Sequence, residues 1–178
     1  MLLKTAIETK DLILRSIDAS LARGPYAAWM RDPKITRHLE VRFAPPDELA
    51  LATFITKMNA SDDNLLLGLF PKSEPERHIG NIKLGPVDRR HKSAPIGIAI
   101  GASEFWGRGL ATQAVAAVSD HAFTALGLDR VEAGFYADNV ASQRAFLRAG
   151  FVEEGRRRGG RLCDGLRVDE VLMGRLRV

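Results

Sequence analysis

Cysteine occurs once in the 178 residues, at Cys163. A lone thiol cannot close an intrachain disulfide, so packing alone must hold the chain together and a reducing compartment is expected. No histidine lies near it in sequence to act as a base, so Cys163 reads as a packed or surface thiol and not as a nucleophile. Histidine is scarce as well. His38, His78, His91 and His121 lie far apart and match no HxxxH, HExxH or Cys/His spacing, so no metal is expected. Long apolar runs are also missing. In "MLLKTAIETKDLILRSID" charges interrupt every apolar stretch before it reaches the length of a signal core or a membrane span. The expectation is a cytoplasmic protein that meets no membrane. No low-complexity tract, internal repeat or heptad is present. Nothing therefore fixes an oligomeric state, although an exposed strand or helix face leaves a homodimer open.

What is present suits one ordinary core. Hydrophobic residues make up 46% and charged residues 27%, enough to bury a sizeable interior without staples, and the whole of 1–178 reads as a single domain. The net charge of +4 is unevenly placed. Between Arg156 and Val178 seven arginines stand against Asp164, Asp169 and Glu170, while the rest of the chain balances. Such an end is either a solvated hairpin face or a surface that receives an anionic partner. Nucleic acid is disfavoured as that partner, because no aromatic-basic motif of the RNP1 kind accompanies the arginines.

The order of elements follows from periodicity and punctuation. "TKDLILRSID" (9–18) alternates as a strand, and a helix entry follows at Asp18. "YAAWMRDPKITRHL" (26–39) is helical up to the residues before Pro33, since proline disfavours α geometry in its predecessor. "PPDELALATFITKMNA" (45–60) is a second amphipathic helix with acids in its first turn. Three short extended runs, "NLLLGLF" (64–70), "HIGNIKLGPV" (78–87) and "APIGIAIG" (94–101), suggest an antiparallel meander. Apolar residues from Leu110 to Leu126 repeat at three and four, with Gly127 as the stop. "RVEAGFY" (130–136) is a strand, "NVASQRAFLRAG" (139–150) a helix capped by Asn139, and the remainder a hairpin around Asp164-Gly165. The predicted order is β-α-α-β-β-β-α-β-α-β-β. Strands that cluster before they alternate with helices imply an α+β fold with a mixed sheet, not a doubly wound parallel one.

The chemistry concentrates in "EFWGRGLATQAVAAV" (104–118), where two glycines precede a helix. Unpaired main-chain N–H groups and the positive end of a helix make such a turn an anion cradle, and phosphate is its natural guest. No GxxxxGK[ST] run exists, which removes the P-loop. Gly107-Arg108-Gly109 has Thr112 where a dinucleotide fingerprint needs its third glycine, and it lies far from the start of the chain. The bland alternative is a tight strand-to-helix turn that binds nothing.

"IGIAIGASEFWGRGLATQAVAAVSDHAF" followed by "ADNVASQRAFLRAGFVEEG" resembles the GNAT acyl-CoA N-acetyltransferases, in particular the RimJ/RimL-like branch of bacterial ribosomal-protein Nα-acetyltransferases. "WMRDPKITRHL" and "DGLRVDEVLMGRL" extend the likeness over nearly the whole chain. The resemblance implies a mostly antiparallel, splayed central sheet flanked by helices, with acetyl-CoA as co-substrate and no metal. It places the coenzyme diphosphate on the amides of Trp106, Gly107, Arg108, Gly109, Leu110 and Ala111, with Thr112 opening the helix and Arg108 as a cationic neighbour, and the pantetheine arm beside Ile98, Ala99 and Ile100. Glu104 stands where many relatives carry Gln or Arg, and is expected to face solvent.

The same resemblance makes Asn139 a coenzyme contact and Ser142 the group near the thioester sulfur. Many relatives use a tyrosine seven residues after that Asn, whereas this chain has Phe146, which has no proton to give. The bland reading of Asn139 and Ser142 is a helix cap and a solvated first-turn residue. For the base, Arg161 occupies the segment where relatives often place a glutamate. Glu132 and Tyr136 share one face of their strand and are candidates, as is Asp169 on the last strand. The resemblance implies a primary amine as the acceptor. At pH 7 a lysine amine is neutral about once in 2,500 and an α-amine about once in six to eleven, so a weakly basic amine such as a peptide N-terminus or an amino sugar is favoured. Arginines lining the cleft would suit an acceptor bearing carboxylate or phosphate. The alternative to an enzyme is an acyl-CoA-binding module with little or no catalysis.

Overall fold

The computed structural model describes residues 1–178. Strands β1 (Ile7–Glu8) and β2 (Leu12–Ser16) open the chain, then helices α1 (Pro25–Arg31), α2 (Pro33–Thr36) and α3 (Glu48–Ala60). Strands β3 (Leu65–Pro71), β4 (Gly80–Leu84) and β5 (Ser93–Ile100) lead into α4 (Leu110–Thr124). The chain closes with β6 (Arg130–Tyr136), α5 (Val140–Arg148), β7 (Val152–Cys163) and β8 (Leu166–Leu176). The α+β architecture expected from the sequence is observed, with two additions. β1 pairs with β2 through Ile7↔Leu14 and Glu8↔Ile13, a ladder too short to leave any alternation in the sequence. α2 is a single turn that Pro33 starts, with the Asp32 side chain accepting from the Lys34 N–H.

The strands form one sheet in the order β1-β2-β3-β4-β5-β6-β8-β7. Every neighbouring pair is antiparallel except β5 and β6, which run parallel. That pair holds register only through Ser93↔Arg130, Ala94↔Val131 and Pro95↔Glu132, after which the two strands diverge. The sheet is thus two antiparallel halves joined at one end and split at the other.

The apolar pattern decides what covers each face. β3 reads "LLLGLFP" and is buried throughout, as expected of a strand covered on both sides. Leu65, Leu67 and Leu69 join the cluster that contains Ala114, Val115, Val118 and Ala122 of α4. Leu66 and Phe70, on the opposite face, join Tyr26 and Met30 of α1 and Leu51 and Ile55 of α3. Each fully buried leucine contributes about 1.5–3 kcal/mol through the area it removes from water. This second cluster takes its strand residues from β2, β3 and their flanks alone. On the other half of the same face β6 presents Glu132 and Gly134, while Val131, Ala133 and Phe135 turn to the core beneath α4 and α5. Half of one sheet face is therefore left for something other than a helix.

Candidate active site

The glycine turn is open and its amides are unspent. Gly107 and Gly109 have φ of 75° and 74°, left-handed values at which an L side chain would be strained. A Cβ added at either would meet no atom within 4 Å, so nothing stands over the bend. The Trp106 N–H donates to the Ser103 carbonyl at 3.1 Å, and the Gln113 N–H makes the next main-chain bond, to the Gly109 carbonyl at 3.2 Å. Between them the N–H groups of residues 107–112 have no acceptor in the protein. α4 carries no side-chain cap, so its positive end adds to the six amides.

Neighbouring groups hold this turn in place. The Trp106 indole N–H donates to the Ile100 carbonyl at 2.8 Å and ties the turn to the end of β5. The Gln113 amide accepts from the Thr9 hydroxyl and donates to Asp11, which fixes the first turn of α4 against β1 and β2. Arg108 lies over the Phe105 ring at 4.9 Å. Glu104 is exposed and pairs with Arg77, and so faces solvent as expected.

Beside the turn, the split between β5 and β6 opens a cleft of about 670 Å³. Its walls include Pro95 to Ala99 of β5 and Glu132 to Phe135 of β6. The Pro95 carbonyl and the Gly101 N–H bond toward β4 and its approach, so by strand alternation the N–H groups of Ile98 and Ile100 face the gap. The Ala99 main chain turns to Asn81 on β4. An extended chain laid in the gap therefore finds alternate free donors.

The far wall gathers residues from distant segments. The Asn139 side chain accepts from the Ser142 N–H at 3.1 Å, capping α5 and leaving both residues on the cleft. Phe146 is buried between Phe135 and Phe151, at ring separations of 5.5 and 5.0 Å, so it is a core residue as well as a cleft-lining one. Three carboxylates reach the cleft. Both oxygens of Glu154 are held by Arg130, and both oxygens of Glu170 by Arg157 and Arg161. Glu132 accepts only from Arg130 Nε, at 3.3 Å through one oxygen.

Tyr136 shares its strand face with Glu132 but does not line the cleft. Its hydroxyl donates to Glu40 at 2.8 Å and accepts from Arg42 at 3.1 Å, and its ring lies under Arg42 and Arg161. Burial, then the Glu40 carboxylate, raises the Tyr136 pKa. Asp169 is also turned away, accepting from the Gly159 N–H at 2.9 Å inside the β7–β8 hairpin. The carboxylate on the cleft is its neighbour Glu170, only 4% exposed. Strand alternation carries the signal: Val171 and Met173 are core, so Glu170 and Leu172 must take the other face. Lys83 and Tyr26 complete the lining. Burial lowers the Lys83 pKa and pushes Tyr26 up to about 12.

The C-terminal arginines are mostly spoken for. Arg156 pairs with Glu153, Arg157 with Glu170, Arg161 with Glu40 and Glu170, Arg175 with Asp120 and Arg177 with Asp129. The excess charge at this end is largely answered by acids from other segments. No helix is long and apolar enough to cross a membrane.

Comparison with known proteins places these features. Residues 11–152 match the acetyltransferase (GNAT) domain family. The uncharacterized N-acetyltransferase YoaA of Bacillus subtilis is 30% identical over 151 residues, 84% of each chain. The RimL ribosomal alpha-N-protein acetyltransferase in complex with coenzyme A superposes with a TM-score of 0.84 at 19% identity, covering 96% of this chain and 97% of that one. The spermidine N-acetyltransferase of Vibrio cholerae, in complex with CoA and spermine, gives 0.83 at 22% identity, covering 94% and 96%. The splayed sheet, the open glycine turn and these matches agree, and the chain belongs to the GNAT family of acetyltransferases.

Proposed function

We propose that this acetyltransferase holds acetyl-CoA with its diphosphate on the amides of residues 107–112 and its pantetheine arm along β5, and acetylates a weakly basic primary amine by direct attack in a ternary complex. The observation that carries the reading is the run of six main-chain N–H groups without an acceptor at an unobstructed left-handed turn. Such donors bind an anion with charge-assisted hydrogen bonds and need no side chain to do so. Arg108 adds a neighbouring cation and Thr112 opens the helix, while Trp106 anchors the turn to Ile100. Leu110 and Ala111 contribute main-chain amides. Ile98 and Ile100 offer theirs to the coenzyme arm or the thioester carbonyl, and the Ala99 side chain lines the passage.

The thioester supplies an activated acyl carbon: the acceptor nitrogen bonds to it, the C–S bond breaks, and one proton leaves nitrogen while one reaches sulfur. Ser142, a cleft residue whose main-chain N–H bonds the Asn139 side chain, supplies the hydroxyl that hydrogen-bonds the departing sulfur. A thiol with a reference pKa of ~8.5 needs little more help than that. Glu132 is the one cleft carboxylate with an oxygen free of arginine, and takes the amine proton directly or through water. Tyr136 positions Glu40, Arg42 and Arg161 behind the acceptor. A carboxylate base, with a reference pKa of ~4.3, is poorly matched to a lysine at ~10.4 and better matched to an α-amine at ~7.7–8.0.

The test is a thiol-release assay with a peptide bearing a free N-terminus, the same peptide blocked at the N-terminus but containing lysine, and an amino sugar. Turnover of the free N-terminal peptide is expected, with kcat/KM rising to about pH 8 and then levelling as the amine becomes neutral. Preference for the blocked lysine peptide would overturn the acceptor assignment. A second reading, a coenzyme-binding module without turnover, draws on Phe146 in the core and on the Tyr136 hydroxyl committed to Glu40. Tight acetyl-CoA binding without turnover of any amine would establish it.

A further inference from the structure

Three side chains that sequence spacing keeps apart meet at the rim of the cleft. His38 lies just after α2, Asp138 in the turn between β6 and α5, and Cys163 at the end of β7. One ligand atom from each lies within 4.8 Å of the others. His38 Nε2 is 3.2 Å from Asp138 Oδ1, and Cys163 Sγ is 3.9 Å from Asp138 Oδ2. We propose that His38, Asp138 and Cys163 form a zinc-binding site that clamps the segment after α2 to the β7–β8 hairpin.

The state of the histidine points to a ligand. Its Nε2 exposes less than 1 Å² and makes no hydrogen bond, although the Asp138 carboxylate stands so close. A buried ring nitrogen 3.2 Å from a carboxylate oxygen, in a geometry that makes no hydrogen bond, leaves lone pairs that a cation can answer. A cation between the two answers both lone pairs. The ring packs at a tilt of 49° against Tyr136, 5.6 Å between centroids.

The donor set selects the metal. Imidazole nitrogen, thiolate sulfur and carboxylate oxygen suit Zn²⁺, whereas Mg²⁺ and Ca²⁺ want oxygen alone. Ordinary Zn–N, Zn–O and Zn–S lengths in a tetrahedron put ligand atoms about 3.3–3.6 Å apart, so a pair at the 4.8 Å limit needs to close by about 1.2–1.5 Å. Water can take the fourth place, since the nearby Arg37 carbonyl already accepts from the Arg42 guanidinium. Charge is also balanced. Arg37 pairs with Asp138 at 3.2 Å and with Asp164 at 3.0 Å, and Asp164 lies 3.9 Å from the sulfur. With Arg37 counted, the two aspartates and the thiolate carry a net two negative charges, which one divalent cation neutralises. Arg37 keeps Asp138 Oδ2 and the metal takes Oδ1. Binding releases the thiol proton to solvent.

His38 also lines the cleft, but the test of the metal site needs no acetyl-CoA. The tag-free full-length chain is stripped with a chelator and titrated with Zn²⁺ against a chromophoric competitor, and in parallel with Co²⁺ as a spectroscopic probe. One cation per chain is expected, with a near-ultraviolet thiolate-to-cobalt charge-transfer band that Cys163→Ser abolishes. His38→Gln and Asp138→Asn should each weaken Zn²⁺ by at least about tenfold. Zn²⁺ should raise the Tm of the unaltered chain and not that of Cys163→Ser. If Cys163→Ser fails to fold, the Co²⁺ spectrum of the unaltered chain still decides. Absence of the sulfur band, or equal Zn²⁺ affinity in the unaltered chain and in His38→Gln, would overturn the site.

Discussion

The two ends of the cleft are built from opposite materials. At one end the residues from Trp106 to Thr112 are consecutive, and what they offer is main chain. At the other, Arg157, Arg161 and Glu170 on the cleft wall, with Glu40, Arg42 and Tyr136 behind them, come from four separate elements and offer only side chains. A main-chain cradle depends on backbone conformation and should be indifferent to most side-chain changes. A side-chain wall is the reverse: each carboxylate is there because a particular arginine answers it. Whatever is common to a coenzyme can be read by the first kind of surface, and whatever distinguishes an acceptor needs the second.

Altering backbone geometry at the first end should give the largest effect. Gly109→Val places a β-branched side chain at φ 74°, which displaces the first-turn amides. Loss of two charge-assisted hydrogen bonds should weaken acetyl-CoA by about a hundredfold, about 2.8 kcal/mol, as read by calorimetry. Arg108→Ala should cost less than about 1 kcal/mol in the same measurement, because the amides remain. Equal losses in the two variants would erase the distinction between main chain and side chain.

The converse change acts on the wall. Glu170→Gln leaves Arg161 without its buried partner, although Glu40 still pairs with it. The expected loss is about 2 kcal/mol, discounted because both arginines are partly exposed, or a Tm lower by about 4–8 °C. Acetyl-CoA affinity should stay unchanged. A shift in coenzyme binding would show that the two ends are coupled.

Ser142→Ala probes the junction between them, and should lower kcat by about tenfold while leaving acetyl-CoA binding intact. The smallest effect concerns pH. Burial holds the His78 and His121 pKa values below the ordinary 6.5. The unfolded chain therefore takes up protons first, so their stabilising contribution is present above about pH 6.5 and declines as pH falls toward the lowered folded values. Tm should fall between pH 7 and 5, less steeply in His78→Gln, as followed by circular dichroism. An unchanged slope would assign the acid sensitivity elsewhere.

The contrast between the ends also explains what was legible. The glycine turn is legible because its geometry is local: two glycines, a strand before them and a helix after them are all contiguous. Asn139 as a cap was readable for the same reason. Asp169 and Glu170 look alike in the sequence until alternation is anchored by a buried neighbour such as Val171, which puts Glu170 and not Asp169 on the cleft. Strand alternation makes Tyr136 a candidate for the cleft beside Glu132, but Glu40 and Arg42 close over it from a segment whose position no periodicity reveals.

The sequence by itself determined the elements and the anion-ready turn, since both follow from interactions within a few residues and from the periodicity of apolar side chains. Only the tertiary structure decided which carboxylates are free, where the C-terminal arginines find their acids, and that His38, Asp138 and Cys163 stand together. Those are contacts between segments far apart in the chain. Their geometry is set by how the sheet divides and how the hairpin folds back, and no local pattern encodes it.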